Sequence, residues 1–337
     1  MKAVAQTKPW DGVKRWLPGV LISAFILWLV LRSISWPKVG QALALITPTS
    51  IILVIILYFV SLAARVLCWH TLLQRKVPFR RAFFVMGEGY LLNNVFPLRL
   101  GELGRAVLLS KEKGLSFFQV LPTIVVERAY DMAIAATLLL GTLPFVLSMK
   151  SSKTLAIGIL ALVVLGLVSL YWMARYREKV EALAARLGSR WPFFTKWILP
   201  QVESILDGFA VLTRPEYFAF SLGMMIVSWG LALLQDYIIL HSLAPQAPFW
   251  WIGFVLSAGA LGAAVPSAPA GLGVFEAAAM GALLLVGMDK DAAFAFAISA
   301  HLVSLLFSSL VGVVGLVLEG ENLSSLYQSL STRKKEA

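Results

Sequence analysis

Ten ionisable side chains interrupt otherwise apolar stretches of this 337-residue chain: Arg65, Glu88, Arg99, Glu102, Arg105, Glu127, Arg128, Asp131, Asp236 and Glu276. A charge at the centre of a membrane-spanning helix costs about 2.5–3.5 kcal/mol on insertion scales, so such groups must be paired or wet. Either they pair internally and hold a bundle together, or they line a polar cavity that receives a charged headgroup. Spacing bears on the choice. Glu127 and Asp131 are four residues apart and share one helix face, and Arg128 stands three before Asp131. An Arg128–Asp131 pair leaves Glu127 for another cation, Arg99 or Arg105. Glu102 and Arg105, three apart, can pair with each other. For Glu127, Arg128 and Asp131, internal pairing therefore stands ahead of direct substrate contact.

Arg99 and Arg105 flank Gly101, just past the break made by Asn93, Asn94 and Pro97. A helix starting near Gly101 points free N–H groups and its positive dipole end into that break. Two guanidiniums beside it make an anion site, and phosphate is the anion a lipid bilayer offers most. The competing reading is that both arginines snorkel to the inner interface. Glu276 follows a second break containing Pro266, Pro269, Gly271 and Gly273. There it caps a helix start, carries a proton or orients an arginine, and the residues leave these open. Arg65, with Trp69 four residues on, reaches either the same cavity or the inner interface. Asp236 stands alone on its stretch, which suits interhelical hydrogen bonding. Of the histidines, only His301 is placed to carry a proton, against the simpler reading of a satisfied buried imidazole.

The composition decides the class of protein in which these residues work. At 59% hydrophobic and 14% charged, the chain departs far from the roughly 45–50% and 25% of soluble domains. A soluble enzyme, a disordered chain and a disulfide scaffold are excluded. Cys68 has no partner for an internal disulfide, and no Cys/His cluster has metal-ligand spacing, so no metal or cofactor is expected. No Walker A, GxSxG, HExxH or DxD motif appears. Carboxylates beside arginines are poor general acids. The net charge of +11 records membrane orientation rather than nucleic-acid binding.

Apolar runs at 17–34, 48–73, 117–148, 154–174, 216–242 and 292–318 predict six spanning helices. Runs at about 82–110 and 250–288 are broken by Pro, Gly, Asn and charges. Such breaks are tolerated only inside protein or beside a cavity, so both are read as re-entrant helical hairpins. With the N-terminus inside, most Lys and Arg residues fall on the inner side, and only Lys38, Lys150, Lys153 and Lys290 fall outside. Both termini are then cytoplasmic. Within the polar segment at about 175–215, Val202, Ile205, Leu206, Phe209 and Leu212 recur at helical spacing. They suit a helix on the inner membrane surface or a plain helical linker. Residues 1–320 form one transmembrane domain and 321–337 a basic cytoplasmic tail.

The two broken segments share a plan: proline and glycine, then an acid, then an apolar helix and a full span. Entering from opposite sides, they form an inverted-repeat-like layout with a site near the midplane. The run Asn93-Asn94-x-x-Pro97-x-Arg99-x-Gly101-Glu102-x-x-Arg105, then Glu127-Arg128-x-x-Asp131, then Pro269-x-Gly271-x-Gly273-x-x-Glu276, resembles the lysylphosphatidylglycerol synthase transmembrane-region, or flippase-like, family. Its best-known member is the membrane half of the multiple peptide resistance factor, implicated in moving aminoacylated phosphatidylglycerol between leaflets. The resemblance covers about residues 15–320 and implies a stand-alone lipid-handling domain without the soluble aminoacyl-transferase.

The combined expectation is an all-α polytopic protein of a prokaryotic inner membrane that moves a lipid between leaflets. Its phosphate headgroup would pass through a central polar cavity. Arg99 and Arg105 would bind the phosphate, Glu102, Glu127, Arg128, Asp131 and Glu276 would hold and gate the cavity, Arg65, Asn93 and Asn94 would join them in contacting the substrate, and Pro97, Gly101, Pro266, Pro269, Gly271 and Gly273 would be the hairpin hinges. The expected partner is an anionic phospholipid or polyprenyl phosphate, and a homodimer is left open. The alternatives are a membrane transferase on a lipid-linked substrate, with Glu127 or Asp131 as base, and a lipid-binding assembly partner that moves nothing.

Overall fold

The structure, a computed structural model, describes residues 10–96, 100–146, 150–188, 198–262 and 268–320. Pro97, Arg99, Pro266 and the segment 321–337 lie outside the described residues. Thirteen α-helices and no strand occur among those described. They are α1 (Trp10–Ser33), α2 (Trp36–Leu43), α3 (Pro48–Leu72), α4 (Phe79–Val95), α5 (Leu100–Leu109), α6 (Phe117–Val146) and α7 (Lys150–Arg175), followed by α8 (Arg177–Gly188), α9 (Leu199–Phe209), α10 (Pro215–Leu243), α11 (Trp250–Gly262), α12 (Val274–Leu285) and α13 (Lys290–Glu319).

Four of them, α3, α6, α10 and α13, are long and apolar enough to cross a membrane. Their ends follow local chemistry. Thr47 caps α3 by accepting the Ser50 N–H at 3.2 Å, with Pro48 in the first turn. Asp289 caps α13 through the N–H groups of Asp291 and Ala292, and Gly320 at φ +66° ends it. The outward faces of these helices stay apolar, as with Ile52 and Ile56 on α3 or Leu306 and Val317 on α13. Lipid, not water, suits such a surface.

α3 packs along α10, and α13 along α4. The second contact is close because glycines meet: a Cβ on Gly312 would stand 2.5 Å from the Gly87 carbonyl oxygen. α4 pairs with α5 and α11 with α12, each pair separated by a break. The stripe on α9 is used within the protein. Leu206 and Phe209 are buried, and Gly208 abuts Gln119 and Pro122 of α6. An apolar stripe reads the same from sequence whether lipid or a neighbouring helix covers it.

The apolar core is split in two. One cluster joins Leu62, Trp69, Met86, Leu108, Val126 and Met225. The other joins Val54, Leu240, Phe254, Leu283, Phe294 and Phe296. Each long helix contributes one end to each cluster.

Candidate functional site

Asp131, Trp229 and Ser304 each stand near the middle of a long helix, α6, α10 and α13. Between the two cores, at that level, lies a cavity of about 710 Å³. Arg65, Glu102, Arg128 and Asp131 supply charge to its wall. Tyr58, Tyr90, Asn93, Asn94, Trp229 and Gln235 supply amide, hydroxyl and indole groups. Both broken pairs reach it, through Asn93 and Glu102 of the first and Ala260 and Phe275 of the second.

The charges form two layers. Behind the wall, Glu127 is fully buried and accepts from Arg105 Nη2 at 2.5 Å and Arg128 Nη2 at 2.6 Å. Arg105 is itself 1% exposed, with its guanidinium 3.8 Å from the centre of the Trp69 ring. Trp69 is held in turn by its indole N–H to Thr123 Oγ1 at 3.0 Å. At the wall, Arg65 grips Asp131 with both terminal nitrogens, at 2.8 and 2.9 Å. Arg128 Nη1 lies 3.2 Å from Asp131 and its Nε 3.6 Å from Glu102. Trp229 donates its indole N–H to Asp131 at 2.8 Å, and Arg65 also reaches Glu127 at 3.4 Å. Arg65, Arg105 and Arg128 thus face Glu102, Glu127 and Asp131, three cations against three anions. The network is neutral, which lowers the penalty of holding it at mid-depth.

The first break is closed by backbone contact. Gly101 meets the carbonyl of Gly89, where no Cβ fits, and donates its N–H to Asn93 Oδ1 at 2.8 Å. Asn93 therefore takes one of the N–H groups that the start of α5 would offer an anion. Asn94 donates to the hydroxyls of Ser308 and Ser309, both at 2.9 Å, and ties the pair to α13. At the second break, Glu276 accepts the Gly273 N–H at 2.7 Å, closing the start of α12. Its other oxygen lies 2.7 Å from His301 Nδ1.

The structure brings together Arg65, Glu102, Arg105, Glu127, Arg128 and Asp131, with Asn93 and Asn94 at the cavity edge. The pairing differs from the expected one at Glu127, which takes Arg128 at 2.6 Å while Asp131 has it at 3.2 Å, and at Glu102. Glu102 meets Arg128 of α6 instead of Arg105 of its own helix, because Arg105 turns inward to Glu127 and Trp69. Arg105 is not among the cavity-lining residues. Glu276 faces His301 rather than an arginine. Asp236 accepts from its neighbour Gln235 at 3.1 Å and lines the cavity. Trp229 and Tyr90 also line the cavity, though neither is among the residues expected from the sequence. Trp229 stands seven residues before Asp236 on α10, two turns along the same face, and that spacing is the signal it offered.

Long apolar helices around a cavity walled by part of a charge-balanced arginine–carboxylate network define an integral membrane protein with a polar interior. The sequence matches the family described as the lysylphosphatidylglycerol synthase TM region over residues 16–312, and the chain belongs to that family. It is also 26% identical to a UPF0104 membrane protein of Methanocaldococcus jannaschii over 229 residues, 66% of this chain and 92% of that one.

Proposed function

We propose that the chain carries a lipid between leaflets by passing its phosphate headgroup through the cavity while the acyl chains stay in the bilayer. One observation carries this reading: arginines and carboxylates face an open volume of about 710 Å³ at mid-depth of the long helices. A phosphate entering there competes with Asp131 for Arg65 and Arg128. Exchange of one anion for another keeps the arginines paired, so neither arrival nor departure leaves a bare charge. In the sequence, Arg99 follows Asn93, Asn94 and Pro97 and would add a further cation. Arg105 keeps Glu127 in place behind them.

In this reading α1, α3, α6, α7, α10 and α13 cross the bilayer. The pairs α4–α5 and α11–α12 enter from opposite sides without crossing, with both termini on the cytoplasmic side of a prokaryotic inner membrane. α5 has 10 residues, about 15 Å of helix, half of the roughly 30 Å hydrocarbon core. The test is transfer of fluorescent phosphatidylglycerol and of a polyprenyl phosphate in proteoliposomes. Arg128→Gln, cavity-facing and 32% exposed, is expected to slow transfer at least tenfold in folded protein. No transfer of either lipid by the wild type would sink the reading. Asp236, a cavity acid whose hydrogen bond comes from a neutral amide, favours a second reading as a transferase. That reading is checked by whether the same liposomes accumulate a modified lipid.

A further inference from the structure

The pair formed by Glu276 and His301 plays no part in the arginine network. His301 Nδ1 lies 2.7 Å from Glu276 Oε1, and Nε2 lies 3.1 Å from the backbone oxygen of Ala270. A carbonyl oxygen only accepts, so Nε2 carries hydrogen. A carboxylate also only accepts, so a second hydrogen must sit between Nδ1 and Glu276. The other carboxylate oxygen already accepts the Gly273 N–H, a contact that is stronger to an anionic carboxylate. The arrangement therefore holds an imidazolium against a carboxylate: one proton more than the pair of neutral histidine and carboxylate.

That proton ties Glu276 to the histidine whose Nε2–H holds a strained turn. Ala270 stands at φ +59°, in the left-handed region that residues with a Cβ seldom occupy, and its carbonyl is the one His301 holds. Gly271 and Gly273, at φ +75° and +83°, complete the turn. Ser23 of α1 accepts the Ala268 N–H at 2.9 Å on its far side. The cavity lies one residue away. Phe275 and Ala300, the neighbours of Glu276 and His301, both line it, and the Phe275 ring lies 4.7 Å from the imidazole.

We propose that Glu276 and His301 form a proton-binding site whose proton latches the turn between α11 and α12, and that its uptake and release couple a proton gradient to lipid transfer. With the proton, His301 bridges Glu276 and Ala270. Without it, imidazole and carboxylate face each other as two acceptors, the contact to Glu276 is lost, and the turn can relax its strain. Phe275 moves with it and changes the cavity wall. This deepens the transport reading and rests on it.

The surroundings leave the dyad as the titrating element at this turn. α11 carries no ionisable residue, and α12 carries only Glu276. The charges of α1, Asp11, Lys14, Arg15 and Arg32, sit towards its ends. On α4, Arg80 and Arg81 stand in the first turn, Glu88 lies against Gly315, and Tyr90 faces the cavity. Lys38 of α2 pairs with Asp291 at the start of α13. α10 contributes Asp236 across the cavity, with Glu216, Tyr217, Tyr237 and His241 nearer its ends. Tyr58 of α3 packs on Phe307.

The test has two parts on the full-length chain. Transfer of the fluorescent lipid is timed in proteoliposomes with and without an imposed pH gradient, and each protein is scored by the ratio of its own two rates. A several-fold ratio is expected for wild type and a ratio near one for Glu276→Gln and His301→Gln, whatever their absolute rates. Imidazole ¹⁵N spectra, with His301 assigned by its substitution, are expected to show both nitrogens protonated in wild type at neutral pH. They should show a neutral ring in Glu276→Gln. A wild-type ratio near one, a gradient response that survives in Glu276→Gln, or a neutral His301 in wild type overturns the proton site and leaves transport standing. Absence of transfer by wild type overturns transport and the coupling with it.

Discussion

The two charge layers make opposite demands on stability and function, and the Arg105–Glu127 pair separates them. Glu127→Gln keeps the shape and one acceptor oxygen but removes the charge that Arg105 meets at 2.5 Å and Arg128 at 2.6 Å. Arg105 is 1% exposed, and its Nε already lacks a hydrogen-bond partner. Breaking a buried pair on one side costs about 3–5 kcal/mol. The stacking of Arg105 on Trp69 persists in both proteins and offsets none of this. Arg105→Met is milder, about 1–3 kcal/mol, because Glu127 keeps Arg128 and Arg65. In the double variant both buried charges are gone, and Arg65 and Arg128 still balance Asp131 and Glu102.

A charge-free replacement of a buried pair is close to neutral, so the double variant should unfold within about 2 kcal/mol of wild type. The coupling energy of the cycle is then at least about 2 kcal/mol, well beyond the few tenths seen for independent sites. Reversible unfolding in mixed micelles with increasing dodecyl sulfate reads all four proteins. Additive single effects, or Glu127→Gln unfolding within about 1 kcal/mol of wild type, would refute the dry inner pair. The same measurement on Arg128→Gln should show a smaller loss, since Arg128 is 32% exposed and its contact with Glu102 spans 3.6 Å.

Three further outcomes follow from individual contacts. Gly101→Ala drives a methyl into the Gly89 carbonyl and parts α4 from α5, costing about 1–3 kcal/mol in the same assay. Gly141→Ala on α6 meets open space and should be neutral or stabilising by about 0.5–1 kcal/mol; equal effects would refute the close approach. Trp229→Phe removes one donor from Asp131 and should cost about 1 kcal/mol, because Arg65 still holds both oxygens; a loss above about 3 kcal/mol would contradict that division. Arg81 bridges Glu112 and Glu319, joining α4, the segment after α5 and the end of α13. Arg81→Ala should cost about 1 kcal/mol and less at high salt, read by unfolding at two ionic strengths.

The helical class and the four long spans were legible because a mostly apolar helix of 25 to 30 residues has few other uses. The charged residues announced themselves the same way, each by its cost in an apolar stretch. Their pairing was only partly legible. Arg128 and Asp131 share a helix, so spacing reached their contact; Arg65 to Asp131 joins α3 to α6, and no single-helix period carries it. The i,i+3 spacing that reaches Arg128 and Asp131 also allows Glu102 to pair with Arg105, but Glu102 meets another helix because Trp69 and Glu127 compete for Arg105. Trp229 is not legible by residue type, since an indole on an apolar helix looks like packing until a carboxylate stands 2.8 Å from its N–H.

Neutrality of the network has a consequence for any anion that enters. A cavity with spare positive charge would bind phosphate tightly and release it slowly. Here each guanidinium at the wall already has a carboxylate, so an arriving phosphate gains only the difference between itself and Asp131 or Glu102. Asp131 is the harder of the two to displace, held by both nitrogens of Arg65 and by Trp229. Glu102 is the easier, 29% exposed and 3.6 Å from its partner. Under the transport reading, a headgroup therefore takes Arg128 first, on the side of Glu102, and Arg65 stays with Asp131 until later. Glu102→Gln frees Arg128 and should raise affinity for an anionic headgroup several-fold while slowing its release. Asp131→Asn leaves the grip of Arg65 without its charge and should cost folding stability instead. Binding of a short-chain phosphatidylglycerol by calorimetry, beside unfolding of the same samples, reads the two effects apart. Equal affinity changes in the two variants would refute this order of exchange.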